Sequence, residues 1–315
     1  MVEADTSWYE NNTEKTYAFK NAAELKGFAL LSNGRVGAAE TFAGWRLSLA
    51  ADEIDLSGYE WEPIGNSGTS REFAGEFDGK NKLIKGMTIT TYAQRVGLFG
   101  MVAGSVHNVQ VEGSIDVTGT GTIYAGGIVA EVRSNANVTN CLNRVNVKVT
   151  NNANRMTYVG GVVGSRKVTL CWNEGTVQGT GRSPHSVCVG GICGGGSATD
   201  CANFGTVEGC GKYTGGILGN GTVANSYDNG TVSATGVAVA RGINGREADN
   251  AAATTNSYYA SRLNGEDVKL AYVSNGETAV TYNAENKTYT VGEDAALLVD
   301  KLNENCDGNT PWFVN

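Results

Sequence analysis

Hydrophobic and polar residues alternate along this chain in short bursts rather than long runs. Val145-Asn146-Val147-Lys148-Val149 puts a branched apolar side chain at every second position, the two-residue period of a strand with one buried face. Val109-Gln110-Val111, Gly175-Thr176-Val177, Trp45-Arg46-Leu47-Ser48-Leu49 and Leu83-Ile84-Lys85-Gly86-Met87-Thr88-Ile89 behave similarly. Gly and Asn bound most of these bursts, so tight turns separate them. Helical signals surface only near the two ends. Asn21-Ala22-Ala23-Glu24 has capping-box spacing ahead of Leu25, Phe28, Ala29 and Leu31, which predicts a short amphipathic helix. Ala295-Ala296-Leu297-Leu298-Val299 to Leu302, with Glu293 and Asp294 in its first turn, predicts a second. Val268 to Tyr272, Ala279 to Tyr282 and Thr288 to Val291 predict short strands before it.

The bursts recur with a period. Val96-Gly97-Leu98-Phe99-Gly100 is followed by Gly126-Gly127-Ile128-Val129-Ala130, Gly160-Gly161-Val162-Val163-Gly164, Gly190-Gly191-Ile192-Cys193-Gly194 and Gly215-Gly216-Ile217-Leu218-Gly219, then by a worn copy, Arg241-Gly242-Ile243-Asn244-Gly245. Gly97, Gly126, Gly160, Gly190, Gly215 and Arg241 are spaced 29, 34, 30, 25 and 26 residues apart. A second phrase keeps phase: Cys141-Leu142-Asn143, Cys171-Trp172-Asn173-Glu174-Gly175-Thr176-Val177, Cys201-Ala202-Asn203-Phe204-Gly205-Thr206-Val207 and Ser226-Tyr227-Asp228-Asn229-Gly230-Thr231-Val232. No repeat holds a ten-residue helical pattern, so helix-containing repeat arrays are excluded. What remains is all-β: a right-handed parallel β-helix of about seven to eight coils, stacked at about 4.8 Å. Three segments follow: an N-terminal cap with the short helix over 1–40, the β-solenoid over 41–265 with its clear repeats from about 97, and a small C-terminal α+β cap over 266–315. The N-terminal helix is expected to cover the first coil's edge, which would otherwise template pairing with other chains.

Composition sharpens this picture. Glycine makes up 44 of 315 residues, proline only 3, with no Gly-X-Y period, so neither collagen nor a Pro-rich disordered chain fits. The formal charge of −8 argues against a nucleic-acid partner. No apolar stretch reaches the roughly 18–20 residues of a membrane-spanning helix. The start, Met1-Val2-Glu3-Ala4-Asp5, has neither the basic nor the apolar region of an export signal, and is expected to follow a removed one. Seven cysteines fall short of a disulfide scaffold. Cys141, Cys171 and Cys201, each 30 residues apart with Ser226 in the next slot, predict an interior ladder of reduced thiols. The state of Cys188, Cys193, Cys210 and Cys306 stays open.

The Gly-Leu-Phe-Gly and Gly-Gly-Ile-Leu-Gly phrases resemble the GLUG repeat. The opening resembles the module that often precedes it, with Trp8-Tyr9, Ala23-Glu24-Leu25, Asp52-Glu53-Ile54-Asp55-Leu56, Trp61-Glu62-Pro63-Ile64-Gly65 and Phe73 to Gly79. The resemblance covers roughly residues 8–262. It implies a non-catalytic β-helical module of a bacterial surface or secreted protein, some relatives of which carry IgA-peptidase domains, acting in adhesion or as a display stalk. The implied partner is a host or neighbouring-cell surface glycan or protein, the location extracellular, and the chain a monomer. Glu53 interrupts the usual Asp-Ile-Asp-Leu phrase and is expected to bulge that strand.

Candidate chemistry is sparse. The only histidines are His107 and His185, so the His-Glu-x-x-His pair of a zinc peptidase is missing. No Gly-x-Ser-x-Gly elbow occurs. No cofactor or metal is expected, and no catalytic residue is assigned. Tyr124, Tyr158 and Tyr213 each stand two residues before a Gly corner, and are the binding candidates along one edge, beside the plainer reading of corner packing. The alternative is a carbohydrate-active β-helix enzyme, a lyase or glycosidase, using the acidic cluster Asp52, Asp55, Glu62 and Asp78. Such an enzyme needs paired carboxylates in an aromatic-lined cleft, and Trp45, Tyr59 and Trp61 lie near in sequence. The competing reading has Asp55 and Asp78 making turn hydrogen bonds.

Overall fold

The computed structural model describes residues 3–66, 71–91, 94–235, 240–246, 254–255 and 257–259, together with the backbone of short strands between 262 and 297. It is a parallel β-solenoid of about eight turns with one α-helix near its start. A central coil runs through Thr157–Gly160, Val163–Thr169, Trp172–Asn173 and Val177–Gly181. The first of these belongs to a narrow six-stranded sheet with Arg95–Val96, Ile123–Gly126, Val187–Gly190, Tyr213–Gly215 and Ala240–Arg241. The others stack into a 22-stranded sheet that wraps the remaining faces. Successive coils pair in parallel and in register, as in Val147↔Val177↔Val207↔Val232. The uneven repeat lengths are absorbed outside the strands. The 34-residue spacing is taken up by the turn at 133–136, and the 25-residue coil omits the loop that Pro184–Ser186 occupies in the coil before.

The second in-phase phrase becomes two interior ladders. Cys141, Cys171 and Cys201 are fully buried, and the six described cysteines are free thiols. Each ladder thiol donates to the carbonyl two residues back, as Cys171 does to Thr169 at 3.2 Å. Ser226 and Ser257 continue the column with the same bond. Beside it, Asn143 Nδ2 donates to Asn173 Oδ1 at 2.7 Å, Asn173 to Asn203 at 2.7 Å, and Asn203 to Asp228 at 2.6 Å. Each Asn also clasps its own turn: Asn173 Nδ2 donates to the Gly175 carbonyl, and its Oδ1 accepts from the Gly175 N–H. Every rung is buried, so the amides satisfy one another in place of water. The column also explains the Gly-Gly corner. A Cβ on Gly161 would sit 2.4 Å from Asn173 Oδ1, so only glycine leaves room for the amide.

The N-terminal helix forms where its cap predicts, over Ala22–Ser32. Asn21 Oδ1 accepts from the Glu24 N–H at 3.0 Å, and Glu24 accepts from the Lys20 N–H at 2.7 Å. Leu25, Phe28, Ala29 and Leu31 are buried. Ahead of it, Thr16–Phe19 pairs with Arg46–Leu49 and opens the stack. Glu53 does not bulge its strand: Glu53, Ile54 and Asp55 pair continuously with Leu83, Ile84 and Lys85. The irregularities fall instead in Glu76–Ile89, at Asp78/Lys82 and Ile84/Met87, where Lys80, Asn81 and Gly86 take positive φ and absorb the extra residues.

At the C-terminal end, Ala271–Val273 pairs with Gly276–Thr278, and Val280–Asn283 with Thr288–Val291. The predicted helix over 295–302 is corrected in part: Ala296–Leu297 is a strand antiparallel to Thr288–Val291. A short apolar run does not distinguish helix from buried strand by periodicity, and here a strand partner decides. Leu298 to Leu302, and Cys306, lie outside the described residues. Among the described residues, no helix is long and apolar enough to cross a membrane.

Candidate functional site

The narrow sheet and the wide sheet meet at the Gly-Gly corners, and the side chains just outside each corner form the two walls of a lateral groove. One wall is the register column Arg95, Tyr124, Tyr158, Cys188, Tyr213. The other is Glu131, Ser165, Gly195, Asn220, beside Arg166, Gly196 and Gly221. Between them lies a groove of about 360 Å³ lined by Tyr124, Tyr158, Ser165, Arg166, Asn220 and Arg246, with Gly195, Gly196 and Gly221 as its floor. Glu131 of the wall lies outside this stretch, bonded to Arg95, and the residues lining the stretch itself include no carboxylate.

Of the three candidate tyrosines, the fold brings two together. Tyr124 and Tyr158 stack in parallel, centroids 5.4 Å apart and planes 8° apart. Tyr213 is set apart, because Cys188 occupies the rung between it and Tyr158; Lys212 lies 5.0 Å over its ring. The other end of the stack is closed by Arg95, whose guanidinium lies 5.6 Å from the Tyr124 ring while bonding Glu131 at 2.7 Å. Tyr158 lies against Gly195, where an added Cβ would come 2.6 Å from its ring. Burial pushes the Tyr158 hydroxyl above its ordinary range, and the Arg166 charge pulls the other way.

Arg166 is the residue that sequence reasoning passed over. It holds φ at 96°, while the register positions above it are Gly196 and Gly221 at 135° and 146°. A side chain in this backbone region costs about 1–3 kcal/mol, and such strain clusters where a side chain has work to do. Its signal in the sequence is a single arginine at a repeat phase that the next two coils fill with glycine, legible only once the register is known. None of the ion pairs among the described residues includes Arg166 or Arg246.

The acidic cluster presents a different picture, in which carboxylates are tied to neighbours. Asp52 lies 3.3 Å from Lys82, Glu62 2.9 Å from Arg35, and Asp78 2.6 Å from Lys80. Hydrogen bonds from Ser57 hold the Asp55 carboxyl below its usual range, with Lys85 adding to the effect. Burial works to raise the Asp78 carboxyl, but hydrogen bonds from Lys80 and Asn108 outweigh it and hold it low. A general acid needs the opposite displacement. The neighbouring aromatics are core: Trp45 packs with Tyr9 and Phe42, and Trp61 is buried with its Nε1 donating to the Leu98 carbonyl at 3.1 Å. Tyr59 lies beneath Lys26, 5.0 Å away. The nearby hollow of about 560 Å³ is lined by Arg46, Glu76, Asp78 and Lys80 among others, with Tyr17 as its aromatic. Among the described residues, no group of three His, Cys, Asp or Glu is placed to hold a metal ion.

Comparisons with known proteins address the fold. No family model matches the chain, and no curated protein matches it. A solved structure from Bacteroides ovatus, of a protein provisionally named an immunoglobulin A1 protease, superposes with a TM-score of 0.59 at 20% identity, over 82% of this chain and 80% of that one. At that identity the likeness establishes a shared β-helical fold.

Proposed function

We propose that this protein is a non-catalytic, extracellular β-solenoid module of a bacterial surface or secreted protein, which binds a glycan along its lateral groove. The observation that carries the reading is a contrast between two sites. The tyrosine groove offers a stacked aromatic pair, hydroxyl and amide groups, and arginines outside the described ion pairs. The carboxylates an enzyme would use are held by bases and backbone, and Asp55 and Asp78 are displaced toward the ionised state. Ligand pockets typically combine apolar or aromatic lining with a few placed polar groups, and the groove has that composition. The fold neighbour's name points to proteolysis. For this chain that activity would need a metal or nucleophile constellation, and its two histidines, His107 and His185, are far apart in sequence. His107 is engaged by Glu76 at 3.1 Å.

A glycan-array screen followed by product analysis of each bound glycan tests the reading. The expected result is saturable binding with no cleavage, lost in Tyr158→Ala. Cleavage would overturn it and move attention to the carboxylates around Asp52 to Asp78. A screen with no binding on any glycan would leave a stalk or a protein-binding module.

A further inference from the structure

Taking the groove as a binding site, as proposed above, we infer that its ligand is a polyanionic glycan, a chain of sugars carrying carboxylate or sulfate groups. The protein as a whole is acidic, with a formal charge of −8, yet the coils around the groove are not. Residues 151–246 carry seven Lys and Arg against four Asp and Glu. Of those four acids, Asp200 and Asp228 are buried inside the stack. Glu174 bonds Arg144 at 2.7 Å, and Glu208 accepts from Gln178 at 2.6 Å. Of the four acids only Glu208 is neither buried nor in one of the ion pairs among the described residues, against seven Lys and Arg, so the charge left facing solvent here is positive. The stretch between the walls is lined by two arginines, and Glu131 lies outside it, bonded to Arg95. Two further hollows on the described surface are lined by Glu76, and the larger of them also by Asp78.

The arrangement along the axis narrows the ligand further. Arg166 and Arg246 stand three coils apart, since Gly196 and Gly221 fill the rungs between and Leu218 pairs with Asn244 two residues before Arg246. At about 4.8 Å per coil that is about 14 Å. Two cationic ends joined by a glycine floor suit an extended chain with acidic groups at intervals, rather than one compact anion. Tyr124, Tyr158, Ser165 and Asn220 supply ring edges, hydroxyls and an amide of the kind that pair with sugar hydroxyls. An extended peptide would seek an open strand edge. Along this groove the strands of both walls are already paired with the coils on either side. The strained backbone at Arg166, which glycine would relieve, fits a side chain kept for recognition.

The test is binding of polygalacturonate and chondroitin sulfate, with dextran as neutral probe and polyglutamate as acidic peptide, to the full chain by calorimetry at 50 and 500 mM NaCl. The expected result is binding of at least one acidic polysaccharide, weakened at least tenfold by the higher salt and at least tenfold by Arg166→Gly, with dextran unbound. Arg166→Gly matches the backbone of the next two coils, so its melting temperature is expected to equal or exceed that of the parent, which separates lost recognition from lost fold. Lys148→Ala, paired with Asp116 away from the groove, is expected to bind as the parent does. Equal binding of dextran and the acidic glycans, lost in Tyr158→Ala, would overturn this inference and leave the glycan-binding reading standing. Polyglutamate bound through Arg166 in place of any glycan would overturn both in favour of an acidic protein partner. Acidic-glycan binding unchanged in Arg166→Gly would overturn the groove as its site.

Discussion

The two ends of this solenoid fill the same cross-section with different chemistry. Near the N-terminus the interior is aromatic: Phe19, Phe28, Phe42, Phe73, Phe77 and Phe99 are fully buried and in ring contact with one another. From about residue 105 onward, the coils are filled by valines, thiols and an amide column instead. A middle coil is covered on both sides by copies of itself, so small residues at matching phases pack against their own kind. The first coil has a neighbour on one side only. It must close its open end with volume, which Phe28 of the helix and Trp8 supply by packing with Phe19 and Phe42. Identical fold is thus compatible with two kinds of core, and the difference follows from position in the stack.

Three experiments press on that contrast. The largest expected effect is at the aromatic end. Phe28→Ala opens a cavity among rings that cannot collapse onto it, and a loss of about 3–5 kcal/mol is expected, read from urea unfolding. Because repeats depend on their neighbours, hydrogen exchange should speed first in Thr16–Phe19 and Arg46–Leu49, with the valine coils following. A smaller loss in the second region comes from Asn173→Ala. It strips Asn143 of its acceptor, Asn203 of its donor and Gly175 of both partners. Asn143 keeps its bond to the Val145 carbonyl and Asn203 the one from the Gly205 N–H, so the two Gly175 groups are the ones left unpaired. At about 1–2 kcal/mol each, in the lower part of the range for a buried polar group, about 2–4 kcal/mol in all is expected, with exchange rising around Trp172–Asn173 while the helix stays protected. An effect at the helix as large as at the substituted rung would show that the two cores unfold as one.

The smallest effect is chemical. Burial pushes the Cys193 and Cys201 thiols up to about 12, and Cys171 well above its ordinary value. A raised pKa keeps the neutral thiol, so at pH 8 the thiolate fraction of Cys193 and Cys201 is on the order of one in ten thousand. Iodoacetamide at pH 8, followed by peptide mapping, should leave these three unlabelled in the native protein. The partly buried Cys210 should be labelled before them. Early labelling of Cys171 would mean that the central coils open locally, and that the amide and thiol columns are a weaker core than their burial indicates.

Much of this architecture was legible in the chain itself. The in-phase phrases around Gly160 and Cys171 specified a stack, because only a repeating coil brings equal phases together. Asn21 and Glu24 specified the helix start, because their side chains can reach the first N–H groups. The thiol column followed from a 30-residue spacing and a serine in the same slot. Other features were not local. The Asn143, Asn173 and Asn203 column looks like turn chemistry in a single repeat, and becomes interior only when the coils above and below supply its partners. Ala296–Leu297 is apolar enough for helix or strand, and its partner strand made the choice.

The candidate site divides in the same way. Tyr124, Tyr158 and Tyr213 could be picked out as residues at one repeat phase, but their contact could not. Registration put Cys188 between the second and third, leaving a stacked pair and a separated ring. The sequence determined the repeat, the coil and the residues at each phase, because those depend on periodicity and on which side chains tolerate burial. The tertiary structure alone decided which phases face each other across the corner, and so brought Arg166 beside Tyr158 in a stretch of groove that no carboxylate lines. Contacts between residues a full coil apart are set by backbone registration, which no short window of sequence contains.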